Sequence, residues 1–316
     1  MRRIGILRGG IGDEYESSLR EGADIIAHIH QNLSDKYKPV DILIDKDGVW
    51  HAQGVPVEPA GLMHEVDIVW NTSHPTFSKI LGTLSLPIVG VSHFASSLVK
   101  SRTMLEEHLK NIGVNMPASV VLPLYQEDFD LPPPRLRQGE ADPKVEYAIR
   151  KAKEIHERFG APWIVKSFTP DSDMAIHVAK TFPELVEAIY DGLTHQVSIL
   201  VEELITGKNT SLHSIPNFRG EDIYIFPCLA EAGVKAGRLA IRESEKLVNL
   251  AKDLHTHLGA SHYLKSDFVL HPNRGIYLTS VSFSPDLKPN SLFHLACASV
   301  GAKMHHVVEH ILEQAL

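Results

Sequence analysis

The run from Tyr263 to Asp286 constrains this chain more than any other. Tyr263-Leu-Lys-Ser-Asp267-Phe-Val-Leu and Ile276-Tyr-Leu-Thr-Ser280-Val-Ser282 are two strand-like segments separated by His271-Pro-Asn-Arg-Gly275. Proline, asparagine and glycine between two such runs read as a short polar turn, so the spacing predicts a β-hairpin.

Upstream, the pattern alternates strands with helices. Ile4-Gly-Ile-Leu7 is a short apolar strand, Arg8-Gly-Gly-Ile-Gly12 a glycine-rich turn, and Ser17 to Gln31 carries Leu19, Ala23, Ile26, Ala27 and Ile29 at helical spacing. Strands are predicted at Val40 to Ile44, Val66 to Trp70 and Pro87 to Gly90, with a helix near Phe77 to Leu84. That is a parallel βα layout. A helix over Ser101 to Asn111, closed by Gly113, opens a second region. Gln126-Glu-Asp-Phe-Asp-Leu-Pro-Pro-Pro134 reads as an exposed polyproline-type loop, and Val145, Ala148, Ile149, Ala152, Ile155 and Phe159 mark a further helix. The strand Pro162 to Lys166, the helix Phe182 to Leu193, the strand Val197 to Glu203 and the helix Lys246 to Leu258 complete the reading. The apolar stripes on these helices are core.

Composition excludes several partners. With 316 residues and a net charge of −8, the chain is long enough for two or three domains and has no electrostatic footprint for nucleic acid or an anionic membrane. No segment reaches the roughly 20 apolar residues of a membrane helix. Cys228 and Cys297 are too few for a disulfide framework, which points to a cytoplasmic protein with reduced thiols. The turn after the first strand does not give G-x-G-x-x-G, so dinucleotide binding is not indicated. Among 19 histidines, His28/His30 and His255/His257 are two apart on predicted helices and share no face, which argues against zinc. His294, His305, His306 and His310 read as surface or interface residues.

Two strand ends carry charge that could do chemistry. Pro162-Trp-Ile-Val-Lys166 presents a lysine able to neutralise a phosphate, and Ile199-Leu-Val-Glu202-Glu203-Leu-Ile205 presents carboxylates and a linker whose backbone could meet a purine edge. Either motif alone is equally a solvated charge at a strand end.

Their order, together with the hairpin, resembles the ATP-grasp enzymes, and the chain is similar from end to end to the D-alanine–D-alanine ligases. Ile4 to Gly10 through Glu14-Tyr-Glu16-Ser-Ser18, Leu86 to Gly90 through Ala95-Ser-Ser97, and Pro289-Asn-Ser291-Leu292 through Gly301 to Leu312 carry the likeness. The resemblance implies an α/β protein: an N-terminal parallel βα, Rossmann-like domain over 1–99, an ATP-grasp lid over 100–193, and a C-terminal antiparallel-sheet domain over 194–316. It implies ATP and magnesium as cofactors, D-alanine or a similar amino acid as substrate, a role in peptidoglycan precursor synthesis and a homodimer. By the same resemblance Arg102 and Lys166 take the phosphate-binding positions. Glu202 takes the adenine-contacting acid, Glu203, Leu204 and Ile205 the hinge, and Asn209 the ribose position. Glu14 takes the acid that orients the first amino acid, Ser291 and Leu292 fall at the second substrate, and Lys265 replaces an arginine that stabilises the transition state. Asp267 takes the first metal carboxylate.

The departures gather at the reacting centre. Ser280 and Ser282 stand where the family has a bridging glutamate and an asparagine, leaving one metal ligand of three. Asp286 replaces an oxyanion-hole glycine, although it could turn to hold metal. Asn209 replaces an acid, and the loop expected after His74 is missing. The phosphate-covering loop reads Ser167-Phe-Thr-Pro-Asp171-Ser-Asp173, with acids of the wrong sign toward ATP. Phe218-Arg-Gly-Glu-Asp222 runs almost directly into Tyr224 to Cys228, so the mobile lysine- and tyrosine-bearing loop is missing too. These changes predict weak or absent ligase activity. The alternative is an active carboxylate–amine ligase with a rebuilt metal site on Asp267 and Asp286.

Overall fold

The computed structural model describes residues 1–12, 14–126, 142–168, 171–228 and 241–316, with the Ile241 side chain outside this set. Most of the loop anticipated at Gln126 to Pro134, and Thr169 and Pro170 of the phosphate-covering loop, lie outside the described residues. The chain divides into two compact units, one of residues 1–115 with 207–316 and one of 116–206.

The first unit holds two sheets. Strand β1 (Arg2–Gly9) is buried from Ile4 to Leu7, as a central parallel strand covered on both faces should be. It pairs in parallel with β2 (Tyr37–Ile44) on one side and β5 (Ile68–Asn71) on the other. Strands β3 (Trp50–Ala52), β4 (Val55–Pro56) and β6 (Ile88–Val89) complete the order β4-β3-β2-β1-β5-β6, with β4 and β6 at the edges. Helix α1 (Tyr15–Asn32) buries Ser18, Gly22, Ile25 and Ile29. Ser18 Oγ accepts the Gly9 N–H at 2.9 Å, which ties the first turn of α1 to the end of β1. Gly9 is required there: its φ is +80°, and a Cβ would stand 2.3 Å from the Ile44 carbonyl. Helices α2 (Leu62–Glu65), α3 (Thr76–Thr83), α4 (His93–Lys100) and α5 (Arg102–Lys110) follow. Ser92 and Ser101 cap α4 and α5 by accepting the N–H groups of Ala95 and Met104.

The second sheet of this unit is antiparallel throughout, in the order β12-β11-β13-β14. It consists of β11 (Lys208–Pro216), β12 (Ile223–Ile225), β13 (Leu264–His271) and β14 (Gly275–Ser282). Strands β13 and β14 are the anticipated hairpin, with a bulge between Asp267 and Phe268. Its turn is fixed by His271 Nδ1, which accepts the N–H groups of Asn273 and Arg274, and by Gly275 at φ +90°. Helices α8 (Ile241–His257), α9 (Leu292–Ser299) and α10 (Met304–Ala315) flank this sheet in sequence. Ile4, Ile25, Ile215, Phe226, Phe293 and Val307 belong to one apolar cluster, so both sheets of this unit share a core. Burying side chains of that size contributes roughly 1.5–3 kcal/mol each.

In the second unit, β7 (Ser119–Leu122), β8 (Trp163–Ser167), β9 (His177–Ala179) and β10 (Ile199–Glu203) form an antiparallel sheet ordered β7-β10-β8-β9. Helices α6 (Pro143–Arg158) and α7 (Phe182–Thr194) supply Tyr147, Ile155, Leu185 and Ile189 to a core with Trp163 and Ile199. Asp142 and Thr181 cap these two helices. Among the described residues, no helix is long and apolar enough to cross a membrane.

Candidate functional site

Strand alternation puts Lys265 and Asp267 on one face of β13, and register sets His213 opposite Lys265 and Ser211 opposite Asp267 on β11. Ser280 and Ser282 lie opposite Asp267 and Lys265 on β14. This face is a compact polar cluster. Ser211 Oγ donates to Asp267 Oδ1 and Ser280 Oγ donates to Asp267 Oδ2, both at 2.5 Å. Lys265 Nζ sits 3.1 Å from the same Oδ2. Each Asp267 oxygen is therefore engaged by a protein donor, and its charge is opposed by an ammonium.

A hard dication needs several oxygen ligands with lone pairs turned toward it. Here the one carboxylate is already neutralised by Lys265 and bonded by two hydroxyls, so the residues present do not fit a pair of magnesium ions. Among the described residues, no group of three or more His, Cys, Asp or Glu side chains could hold a metal.

Below Lys265 lies a buried pair: His213 Nδ1 and Tyr263 Oη share a hydrogen bond of 2.7 Å. Burial, and then Lys265, pushes the His213 pKa down to about 4, and burial raises the Tyr263 hydroxyl well above its ordinary value. Both side chains are neutral at pH 7. They line a cavity of about 390 Å³ with Lys265, Ser282, Asp286 and Leu292. Its wall from α1 includes Glu21, whose Oε2 accepts the Ser284 hydroxyl at 2.7 Å. Ser291 is the N-cap of α9: its Oγ accepts the His294 N–H at 3.1 Å and donates to the Asp286 carbonyl at 2.8 Å.

Elsewhere in this unit, Glu14 Oε1 stands 3.6 Å from Lys100 Nζ at the start of α1. His74 is close to both, and burial, followed by Lys100, lowers its pKa. Arg102 begins α5 immediately after the Ser101 cap. Asn209 is on β11, opposite Val269 and on the same face as Ser211. In the second unit, Lys166 Nζ and Glu202 Oε2 are 2.7 Å apart on neighbouring strands β8 and β10. Glu202 is 4% exposed, so this acid is buried on its lysine. The Glu203 and Leu204 N–H groups donate to the carbonyls of Ala118 and Pro162, and Ile205 is buried.

The structure thus brings Lys265, Asp267, Ser280, Ser282 and Asp286 into one neighbourhood, and Lys166 with Glu202 into another. Three participants were not singled out from sequence. Ser211 and His213 lie on a strand without an apolar run, though their spacing at every second residue was the available signal. Lys100 meets Glu14 only through the fold.

No family model matches the chain. Relatives match it along its whole length. It is 23% identical to the D-alanine–D-alanine ligase of Clostridium botulinum (strain Alaska E43 / Type E3), covering 99% of this chain and 98% of that protein. It is 24% identical to the D-alanine–D-alanine ligase of Desulforamulus reducens, covering 99% and 98%. Among solved structures, the VanG D-Ala:D-Ser ligase from Enterococcus faecalis superposes with a TM-score of 0.73 at 18% identity, covering 100% of this chain and 99% of that one. The Bacillus anthracis D-alanine–D-alanine ligase complexed with ATP gives 0.70 at 16% identity, covering 100% and 97%. Matches of this extent, with the sheets and helices described above, make the chain a divergent relative of the D-alanine–D-alanine ligase family, built on that family's ATP-grasp fold.

Proposed function

We propose that this protein is a D-alanine–D-alanine ligase-like ATP-grasp protein whose ligase activity is strongly reduced or absent. The supporting observation is the state of Asp267, whose two oxygens are taken by Ser211, Ser280 and Lys265. Phosphoryl transfer to a carboxylate relies on cations that offset the moving charge, and a site without their ligands loses most of that stabilisation. Toward ATP, Lys166 would offset phosphate charge and Glu202 to Ile205 would meet the adenine. Glu14 and Ser291 would orient amino-acid substrates.

A second reading, an active ATP-dependent carboxylate–amine ligase, draws on one observation: Lys265, Ser282, Asp286 and Leu292 still line a single cavity. The experiment that separates the two is incubation with ATP, magnesium and D-alanine while following ADP release and dipeptide formation. The first reading expects neither product. Turnover at ordinary ligase rates establishes the second. A thermal-shift titration with ATP alone tests nucleotide binding independently, and an unmoved Tm removes it.

A further inference from the structure

A second cavity adjoins the one lined by Lys265. It has a volume of about 750 Å³ and shares Asp24, Leu287 and Lys288 with its neighbour, so the two adjoin along those side chains. Its walls come from α1 and from the segment that carries α9 and α10. His294 and His305, which the sequence alone reads as surface or interface residues, line it together with His28 and Lys303.

The chemistry of this extension is that of an anion site. Where the two cavities meet, Lys288 Nζ stands 4.0 Å from Asp24 Oδ2, which offsets one charge with the other. Lys303 is then a surplus cation on the wall. The Asn290 N–H donates to His294 Nδ1 at 3.2 Å, so in the neutral ring the proton is on Nε2, a donor. His28 Nε2 is out of contact with solvent and has no hydrogen-bond partner. Burial, then His305 and His294, holds the His28 pKa below its ordinary value, so this ring is neutral at pH 7. The near cavity is evenly balanced: Glu21, Asp24 and Asp286 face Arg20, Lys265 and Lys288, the mixed charge that suits an ammonium beside a carboxylate.

We infer that these adjoining cavities take an amino compound longer than alanine, an amino acid or short peptide whose second carboxylate lies in the extension against Lys303 and His294. The inference rests on reading the near cavity as an amino-acid site, and it needs no turnover. In a ligase the same compound would be the acceptor, and in a silent relative a bound ligand.

Calorimetric titration of the intact protein with D-alanine, D-glutamate, D-α-aminoadipate and inorganic phosphate tests it. At least one of the two acidic amino acids should bind about tenfold tighter than D-alanine, the gain of one added charge-assisted contact. Lys303→Gln, at an exposed position, should abolish that preference while leaving D-alanine affinity unchanged, and Lys303→Arg should restore it. Acidic amino acids that bind no tighter than D-alanine overturn the inference, as does a preference that survives Lys303→Gln. Phosphate that binds through Lys303 while acidic amino acids show no advantage makes the extension a separate anion site, which also overturns it. A wild type that binds neither D-alanine nor the acidic amino acids sinks the amino-acid reading of the near cavity as well; binding of D-alanine alone sinks only the extension.

Discussion

Lys265 Nζ rests 3.1 Å from Asp267 Oδ2, two residues along the same strand and on the same face. An ammonium at that distance supplies the positive charge that a metal ion would bring, so the carboxylate is stable without one. Charge-assisted bonds from Ser211 and Ser280 complete the arrangement, leaving the cluster satisfied from within.

The wild-type melting temperature should therefore be indifferent to magnesium. Ser280→Glu with Ser282→Asn adds oxygen ligands opposite Asp267 and Lys265, and should create a magnesium-dependent rise. At tenfold excess of metal over the new Kd, that rise is worth about 1.4 kcal/mol. Scanning calorimetry with and without magnesium reads it directly. A double variant as indifferent to magnesium as the wild type shows that this hairpin face is not where a metal was lost.

The Lys166–Glu202 pair gives an asymmetric prediction. The Glu202 side chain is 6% exposed and that of Lys166 is 32% exposed, so only the lysine has a route to water. Lys166→Met takes the cation away from a buried carboxylate and should cost about 3–5 kcal/mol, whereas Lys166→Met with Glu202→Gln removes the charge along with its partner and should recover much of the loss. Urea denaturation of the two variants measures the difference. Equal losses would mean that Glu202 finds another way to stay solvated or protonated.

The parts of this fold that sequence disclosed are those with a clean apolar period. Helix α1 and the strands β1, β2 and β5 follow such patterns, and β13 and β14 are separated by a turn whose residues can hardly do anything else. Strand β11 was not recognised, because Lys208-Asn-Thr-Ser-Leu-His-Ser-Ile-Pro216 has no apolar run. Its Thr210, His213 and Ser214 are buried polar residues, satisfied by partners distant in sequence: Cys228, Tyr263, and His255 with the Leu264 carbonyl. The same gap hid Ser211 as a donor to Asp267. Lys265, Asp267, Ser280 and Ser282 were readable as a group because one hairpin fixes their mutual register. Glu14 and Lys100 meet through packing alone, which no local pattern encodes.

Buried histidines shape the acid limb of the stability curve, His213 and His255 most strongly. Burial lowers the pKa of His213 and of His255 to about 4, against an ordinary value of 6.5. The unfolded chain takes up protons at both as pH falls through 6.5, while the folded chain does not until about 4. Between those values the unfolded state holds more protons, so stability is complete above pH 6.5 and declines as pH falls toward 4. Unfolding in that window should take up about one proton at each of these two, in addition to the uptake at His28, His74, His262 and His305, whose pKa values are also lowered. Urea melts at half-unit steps of pH measure this uptake, and His255→Gln should lower it by about one proton. A pH slope unchanged by that substitution would assign the acid limb to other groups.

Gly9 and Gly54 offer a matched comparison of two costs that are usually entangled. Their φ values are +80° and +83°, so alanine at either position incurs the same backbone penalty, about 1–2 kcal/mol. Their surroundings differ: a Cβ at Gly54 meets nothing within 4 Å, whereas one at Gly9 would lie 2.3 Å from the Ile44 carbonyl oxygen. That oxygen accepts the Gly10 N–H at 2.8 Å, and neither it nor β2 can retreat without loosening the β1–β2 pairing. Gly54→Ala should therefore cost about 1–2 kcal/mol, and Gly9→Ala a further 1–3 kcal/mol or so from the clash. The displaced turn would also strip Ser18 Oγ of the Gly9 N–H, so amide exchange should accelerate at Gly9 and Gly10 in that variant but not in Gly54→Ala. Equal destabilisation by the two substitutions would mean that the close approach of β1 to the Ile44 carbonyl is not what demands glycine at position 9.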